Sequence, residues 1–500
     1  ARHALMPKRP ACGAVNWPLS MPATAVESRP MTARPIETAP ISLPLADAEQ
    51  AVAWLHDHHI RRVELAFPDY TSVARGKLVA TDLFTQSLGA KMAAVMLGFT
   101  VTGGEPKAVY EHVFSPTYPD MSLVPDWSTM VEDPLAGVPT ATVICDGVAV
   151  FDAPDGGAPI DLSQLAPRSV LKAVIARLEK AGYRATVAPE LEFFLVRTEG
   201  DEILPAHGIT GRVPHEENSH DLASLDTAQT FAPFFDDLWA ACEAQRIQII
   251  GYGHESAVGQ YEMNFAPGDP LSQADAVFRF KRLARELARR HGFHATFLPK
   301  PFVPECGSGM HWHVSLADLD GRNAFSNADG SDHERLAHFI GGWQAAAAGT
   351  IAVLAPYAQS YVRLARPEAS PVSADWGRDN RMVSFRVPPS NTKNRRVEHR
   401  LPGADSNPYL TMALMLGTGL VGIERKLAPG PEIIGMPSQQ SDRVLPRTPE
   451  TALAAFETDP IVREVLGEPL VQLYSMIKHH ELEEQQADPL FARKYLLSRA

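Results

Sequence analysis

Carboxylates and imidazoles at strand spacing are the residues of this chain most able to do chemistry. Glu190 and Glu192 stand two apart in A-P-E-L-E-F-F-L. Alternate residues of a strand point the same way, so the apolar neighbours bury one face and both carboxylates share the other. His311, His313 and Ser315 repeat this spacing in G-S-G-M-H-W-H-V-S-L, after glycines that admit a ligand close to the backbone. Glu255 and Glu262 are an odd seven apart, and they reach one face only if the chain bulges or turns near Gly259. Glu398 follows in R-R-V-E-H-R-L. Any one of these pairs is equally well a solvated face. Together, five glutamates and a histidine with no accompanying cysteine form an oxygen-rich set suited to Mg2+ or Mn2+ rather than zinc, with room for two ions. Arg363, Arg381, Arg386, Arg396 and Arg400 fall within forty residues, and such planar forks bind carboxylate and phosphate bidentately. Dications beside arginines point to phosphoryl transfer, where offsetting negative charge does most of the catalysis.

The composition is compatible with an enzyme. Five hundred residues, 45% hydrophobic and 21% charged, make two to four folding units with a large core. Lys plus Arg number 46 against 59 Asp plus Glu, and the net charge of −13 has the wrong sign for holding nucleic acid. Four scattered cysteines without a CxxC pair indicate a reducing compartment, so a cytoplasmic protein is expected. The uncharged stretches Ile340 to Val362 and Ser406 to Ile423 are interrupted by glycine, proline and polar residues, and read as buried helices rather than membrane spans. No membrane partner is expected.

Positioning these residues requires strands, and the pattern supplies them. Residues 1–45 carry eight of the 42 prolines and no periodicity, which predicts a disordered arm. A small mixed unit follows over 46–152, with a helix at Asp47 to His58 and strands at Arg62 to Phe67 and Gly76 to Ala80. The remainder, 153–500, contains helices at Arg168 to Gly182, Ser272 to His291 and Asn407 to Leu427, the last stopped by Pro429-Gly430. Strands are predicted at Ala185 to Val196, Ile247 to Tyr252, Gln260 to Phe265, His294 to Phe297, Met310 to Leu316, Met382 to Val387 and Arg396 to Leu401. Strands that follow strands directly favour an α+β fold with antiparallel pairing over a doubly wound sheet.

Five motifs in this order, A-P-E-L-E-F-F, H-E-x6-E, A-T-F-L-P-K-P, G-S-G-M-H-x-H-x-S and R-R-V-E-H-R-x-x-G-A-D-S-N-P-Y-L, make the sequence resemble the glutamine synthetase family from about residue 60 to 480. The resemblance implies a small N-terminal β-grasp domain, a larger catalytic domain and a double-ring homo-oligomer, a dodecamer, with active sites shared between subunits. It implies that Glu192, Glu255 and Glu262 hold one divalent ion and Glu190, His311 and Glu398 the other. Gly307, Arg363 and Arg400 match positions that bind glutamate, Arg381 and Arg386 those facing the transferred phosphate, and His313, Ser315 and Arg396 nucleotide contacts. Asp69, in F-P-D-Y-T-S-V-A-R-G-K, matches a catalytic aspartate donated by the adjoining subunit. The implied reaction is attack of the glutamate γ-carboxylate on ATP, followed by an amine on the acyl phosphate.

The amine is read from departures. Ammonia-using members carry a flap glutamate six residues beyond the position of Arg363, where this chain has Ala369, with Glu368 one place earlier. Cys306 replaces the asparagine usually found before G-S-G-M-H. W-G-R-D-N-R and G-A-D-S-N-P-Y-L look most like the γ-glutamylpolyamine synthetase branch, so putrescine or a related amine is expected. Ordinary glutamine synthesis and a non-catalytic family member are the alternatives. A binuclear amidohydrolase also displays HxH, but on the first strand of a (β/α)8 barrel, whereas His311 comes late among strands separated by too few helices.

Overall fold

Local sequence sets each element. Asp47 caps helix Ala48–Asp57, its carboxylate accepting from the Gln50 amide at 2.9 Å. Helix Pro270–Arg290 starts two residues ahead of the predicted Ser272, because Asp269 accepts from the Leu271 and Ser272 amides and Pro270 occupies the first helical position. Helix Pro408–Arg425 is capped by Asn407 as expected. It ends at a left-handed Lys426, ahead of the predicted Pro429-Gly430 stop. The computed structural model describes residues 44–154, 156–200, 202–206, 222–365, 370–437, 441 and 443–499. The expected arm over 1–45, all but its last two residues, and the Glu368–Ala369 pair therefore lie outside the described residues.

The N-terminal strands are β1 (Arg62–Pro68), β2 (Ala74–Ala80), β3 (Ala90–Ala93), β4 (Asp120–Pro125), β5 (Val131–Glu132) and β6 (Thr140–Val148). They form one sheet in the order β2-β1-β6-β4-β3, with β5 also on β6 and a parallel β1–β6 pair. The short β7 (Val150–Phe151) and β8 (Ile160–Asp161) pair with each other. Then come β9 (Tyr183–Glu199), β10 (Glu202–Pro205), β11 (Ile249–His254), β12 (Gln260–Phe265), β13 (His294–Thr296), β14 (Met310–Asp318), β15 (Trp376–Arg378), β16 (Phe385–Val387) and β17 (Val397–His399). These nine make the second sheet, β11-β12-β9-β14-β17-β16-β15, with β10 and β13 also on β9. Pairing in it is antiparallel apart from β15–β16, as the strand-after-strand pattern implies. The strand at Met382 is shorter than predicted, since the Asn380 side chain accepts from the Met382 amide and makes a turn there.

One face of this sheet is apolar. Leu191, Phe193 and Leu195 are buried, and Phe193 meets Phe280 of helix Pro270–Arg290 edge-on at 6.0 Å. The two uncharged stretches form helices Glu334–Leu354 and Pro408–Arg425, which pack closely on small residues. A Cβ on Gly342 would stand 2.1 Å from the Thr418 carbonyl oxygen, so glycine is required at that crossing. No helix among the described residues is long and apolar enough to cross a membrane.

Buried charge joins the N-terminal sheet to the larger unit. Arg168, 1% exposed, donates to Asp126 at 2.8 Å, Asp146 at 3.0 Å and both oxygens of Asp275. The Tyr409 hydroxyl donates to the same Asp275 at 2.8 Å. Asn407 donates to the carbonyl oxygens of Asp69 and Tyr70, fixing the loop after β1 against the start of helix Pro408–Arg425.

Candidate active site

Register across five neighbouring strands assembles the site on the polar face of the second sheet. Glu262 of β12 lies opposite Glu192 of β9, and Glu190 of β9 lies opposite His311 of β14. His313 of β14 lies opposite Glu398 of β17, which in turn faces Arg386 of β16. Glu255 and Glu262 reach one face because the chain turns between β11 and β12, with Gly259 at φ +70 and the Glu255 amide bonded to the Gln260 carbonyl. A Cβ on Gly259 would come within 2.8 Å of the Leu195 carbonyl oxygen, a second reason for glycine there.

Among the described residues, three overlapping groups could each hold a cation: Glu192, Glu255 and Glu262; Glu190, Glu262 and His311; and Glu190, His313 and Glu398, the ligand atoms of each lying within 4.8 Å of one another. The first is the set expected from sequence. His311 Nδ1 stands 3.9 Å from Glu190 and 4.0 Å from Glu398, but the second expected set is divided between the other two groups, where His311 joins Glu190 and Glu262, and His313 joins Glu190 and Glu398. Electrostatics in this patch favour positive charge. Burial, then repulsion from Glu255 and Glu262, holds the Glu192 carboxyl well above its usual range. Burial raises Glu255, and burial with Glu190 nearby pushes Glu262 up to about 7. His311 is held well below its ordinary value by burial and by Arg400, so it presents a neutral ring able to ligate. Oxygen-rich donors whose mutual repulsion only a cation would relieve fit a hard divalent ion.

Glu398 behaves differently. Burial alone would raise it, but charges led by Arg400, together with the hydrogen bond from Arg386, outweigh burial and bring it down to about 2. Arg386 donates to one of its oxygens at 2.8 Å and Arg400 to the other at 2.5 Å. Arg386 also donates to Asp379 at 2.8 Å. Arg363 is buried and donates to the Leu401 and Arg400 carbonyl oxygens, leaving its Nε without a protein partner. Gly307 packs against it: a Cβ there would meet the Pro299 carbonyl oxygen at 2.6 Å and Arg363 Cγ at 2.9 Å. Arg381 is exposed at the edge, within electrostatic range of Glu255. Arg396 Nε donates to His313 Nδ1 at 3.3 Å, so His313 Nε2 carries the proton and donates to Glu190 at 3.0 Å. Ser315 spends its hydroxyl on the Arg395 carbonyl oxygen at 2.8 Å.

Asp69 stands apart. Its carboxylate is fully buried and accepts from the Thr71 amide and hydroxyl, the Val73 amide and Arg75, all within its own loop. Gln260 was missed from the sequence. Its amide donates to Glu192, the Gly307 carbonyl oxygen and Ser308 Oγ, tying the carboxylate patch to the glycine loop. Its place two residues before Glu262 on one strand face was the available signal.

A profile of the glutamine synthetase catalytic domain matches residues 164–492. The chain belongs to the glutamine synthetase family. It is 34% identical to glutamine synthetase of Thermus thermophilus over 86% of this chain and 94% of the relative. It is 31% identical to glutamate–isopropylamine ligase of a Pseudomonas species, over 87% and 94%. The γ-glutamylputrescine synthetase PuuA of Escherichia coli is 34% identical over 66% of this chain and 69% of the relative. A solved structure described as a GmaS/ADP complex superposes with a TM-score of 0.73 at 26% identity, covering 90% of this chain and all of the other. Membership makes this glutamine synthetase homologue an ATP-dependent ligase. The family uses ATP, glutamate, divalent metals and either ammonia or an amine, and the acidic groups above are where this chain could hold metal.

Proposed function

We propose that this ligase joins the γ-carboxylate of glutamate to putrescine or a related alkylamine through γ-glutamyl phosphate. Glu192, Glu255 and Glu262 hold one divalent ion, and Glu190, His311 and Glu398 hold the other. Bound there, Mg2+ or Mn2+ supplies positive charge that offsets the repulsion between two anionic reactants. Gly307, Arg363 and Arg400 receive glutamate, and His313, Ser315 and Arg396 border the nucleotide. Arg381 and Arg386 stabilise the transferred phosphoryl group as a γ-carboxylate oxygen bonds to phosphorus and ADP leaves. An amine lone pair then attacks the acyl carbon, a proton is lost and phosphate departs. The observation that carries this reading is the row of opposed strand partners, which sets an uncompensated carboxylate patch directly beside Arg386 and Arg400.

The unit over 46–152 is the β-grasp domain of the family, the catalytic domain occupies 153–500, and the protein is a double-ring homo-oligomer, a dodecamer. Asp69 is the catalytic aspartate offered to a neighbouring subunit: Thr71 and Val73 hold its Oδ1, and its Oδ2, bonded to Arg75, keeps a further acceptor position.

For the amine, the sequence has Ala369 at the position of the flap anion that favours a small bare cation, and Cys306, partly exposed, replaces asparagine beside Gly307. An alkylamine that buries its chain on binding gains about 0.8 kcal/mol per methylene. Two relatives named for isopropylamine and putrescine support an amine. The Thermus relative supports the second reading, ammonia. Comparing kcat/KM for putrescine, isopropylamine and ammonium tests this. The proposal expects an amine to lead; a preference for ammonium over every amine returns the enzyme to glutamine synthesis.

A further inference from the structure

Helix Pro270–Arg290 buries its apolar side under the second sheet and lines, with its arginines, a cleft away from the carboxylate patch. The cleft measures about 630 Å³ and is also bounded by Glu64 of β1, Thr142 of β6 and Arg493 near the C-terminus. None of the candidate active-site residues lines it.

Its lining carries five arginines against three carboxylates, and two of those carboxylates are already taken. Glu64 accepts from both Arg282 nitrogens at 2.8 and 3.0 Å, and Glu286 from Arg289 and Arg290. Arg279 is not neutralised in this way. It is 7% exposed, one guanidinium nitrogen donates to the Thr129 carbonyl oxygen, and its Nε is buried without a protein partner. The neighbouring Asp275 is engaged by Arg168 and Tyr409. Arg246, next to the cleft, likewise leaves Nη1 buried without a protein partner. Burial, which Asp275 only partly offsets, pushes Arg279 down to about 10, and burial with Arg282 does the same to Arg285. Arg285 lies over the Phe297 ring at 5.1 Å, whereas the buried charge of Arg279, with no protein acceptor at Nε, is costly unless an anion completes it.

We infer that this cleft is a second binding site, for a small organic anion bearing carboxylate or phosphate groups, gripped by Arg279 and Arg285. Its walls come from the N-terminal sheet, the catalytic unit and the C-terminal segment, so an occupant bridges all three.

Thermal unfolding of the full-length protein at low salt tests this, with inorganic phosphate and succinate as probes. Three proteins are compared: wild type, Arg279→Gln, and Glu398→Gln as a background with altered active-site charge. At least one probe should raise the wild-type Tm saturably, and which one does so separates phosphate from dicarboxylate ligands. Glu398→Gln should keep that rise. Arg279→Gln should weaken the apparent affinity about tenfold to a hundredfold, the loss expected for charge-assisted hydrogen bonds. Its ligand-free Tm should equal or exceed the wild-type value, since an unpaired buried charge is gone. Arg285→Gln gives the same reading if Arg279→Gln does not fold. No saturable rise with either anion, or a rise that Arg279→Gln and Arg285→Gln both retain, would overturn the assignment.

Discussion

Replacing Glu398 with glutamine probes structure and chemistry together. The carboxylate is fully buried and is held by Arg386 at 2.8 Å and Arg400 at 2.5 Å. Its carboxyl falls from 4.5 to about 2 in the folded protein. At about 1.4 kcal/mol per unit, that depression corresponds to roughly 3 kcal/mol of folding stability. The sign follows from the direction: a depressed acid stabilises above pH 4.5 and loses its contribution as pH falls toward 2. Glutamine keeps the shape, but its NH2 cannot accept, so one of the two guanidiniums loses its partner. Both guanidiniums leave Nε buried without a protein partner, but Arg386 retains Asp379, so the loss falls hardest on Arg400. Urea unfolding at pH 7, followed by fluorescence of the buried Trp312 and Trp343, should show a loss of about 3 kcal/mol at unchanged m. Phosphate release should fall to background, and Mg2+ should no longer stabilise the variant as it does the wild type. A variant within about 0.5 kcal/mol of wild type, or one with near-normal turnover at low Mg2+, would refute the reasoning.

Three further outcomes are expected. Arg168→Met takes the guanidinium from Asp126, Asp146 and Asp275, leaving the buried Asp275 with the Tyr409 hydroxyl, and should cost about 3 to 5 kcal/mol in urea unfolding, the loss seen when one partner of a buried ion pair is removed. Gly307→Ala places a Cβ 2.6 Å from the Pro299 carbonyl oxygen and 2.9 Å from Arg363 Cγ, so steady-state kinetics should show kcat/KM for glutamate down about tenfold to a hundredfold. Glu262, raised to about 7, is roughly three-quarters protonated at pH 6.5, so Mg2+ added to metal-free protein in weak buffer should release protons at pH 6.5 and few at pH 8.5. In the metal-free protein, that raised value stabilises most below pH 4.5 and ceases to do so as pH rises through 7.

Much of the site was legible because strand spacing is rigid. Glu190 and Glu192, and His311 and His313, share a face for the reason their two-residue interval implies, and β12 runs over the predicted Gln260–Phe265. The odd interval between Glu255 and Glu262 called for a turn, and Gly259 makes it. What sequence does not carry is which strand lies beside which. Glu190 opposite His311 and His313 opposite Glu398 are products of register, and only register brings His313 into the carboxylate patch. Arg168 was equally silent, since its three carboxylate partners are scattered from residue 126 to 275. Asp69 was legible as a motif position, whereas its local hydrogen bonds from Thr71, Val73 and Arg75 were not.

The most direct test of the ligase account follows the oxygen that must move. Glutamate labelled with 18O in its γ-carboxylate is incubated with the enzyme, ATP, Mg2+ and putrescine, and with ammonium in parallel, and the released phosphate is weighed by mass spectrometry. Passage through γ-glutamyl phosphate predicts one labelled oxygen in each phosphate and one in the γ-glutamyl amide, with no phosphate released when glutamate is omitted. Unlabelled phosphate alongside amide formation, or ATP cleavage that ignores glutamate, would contradict it.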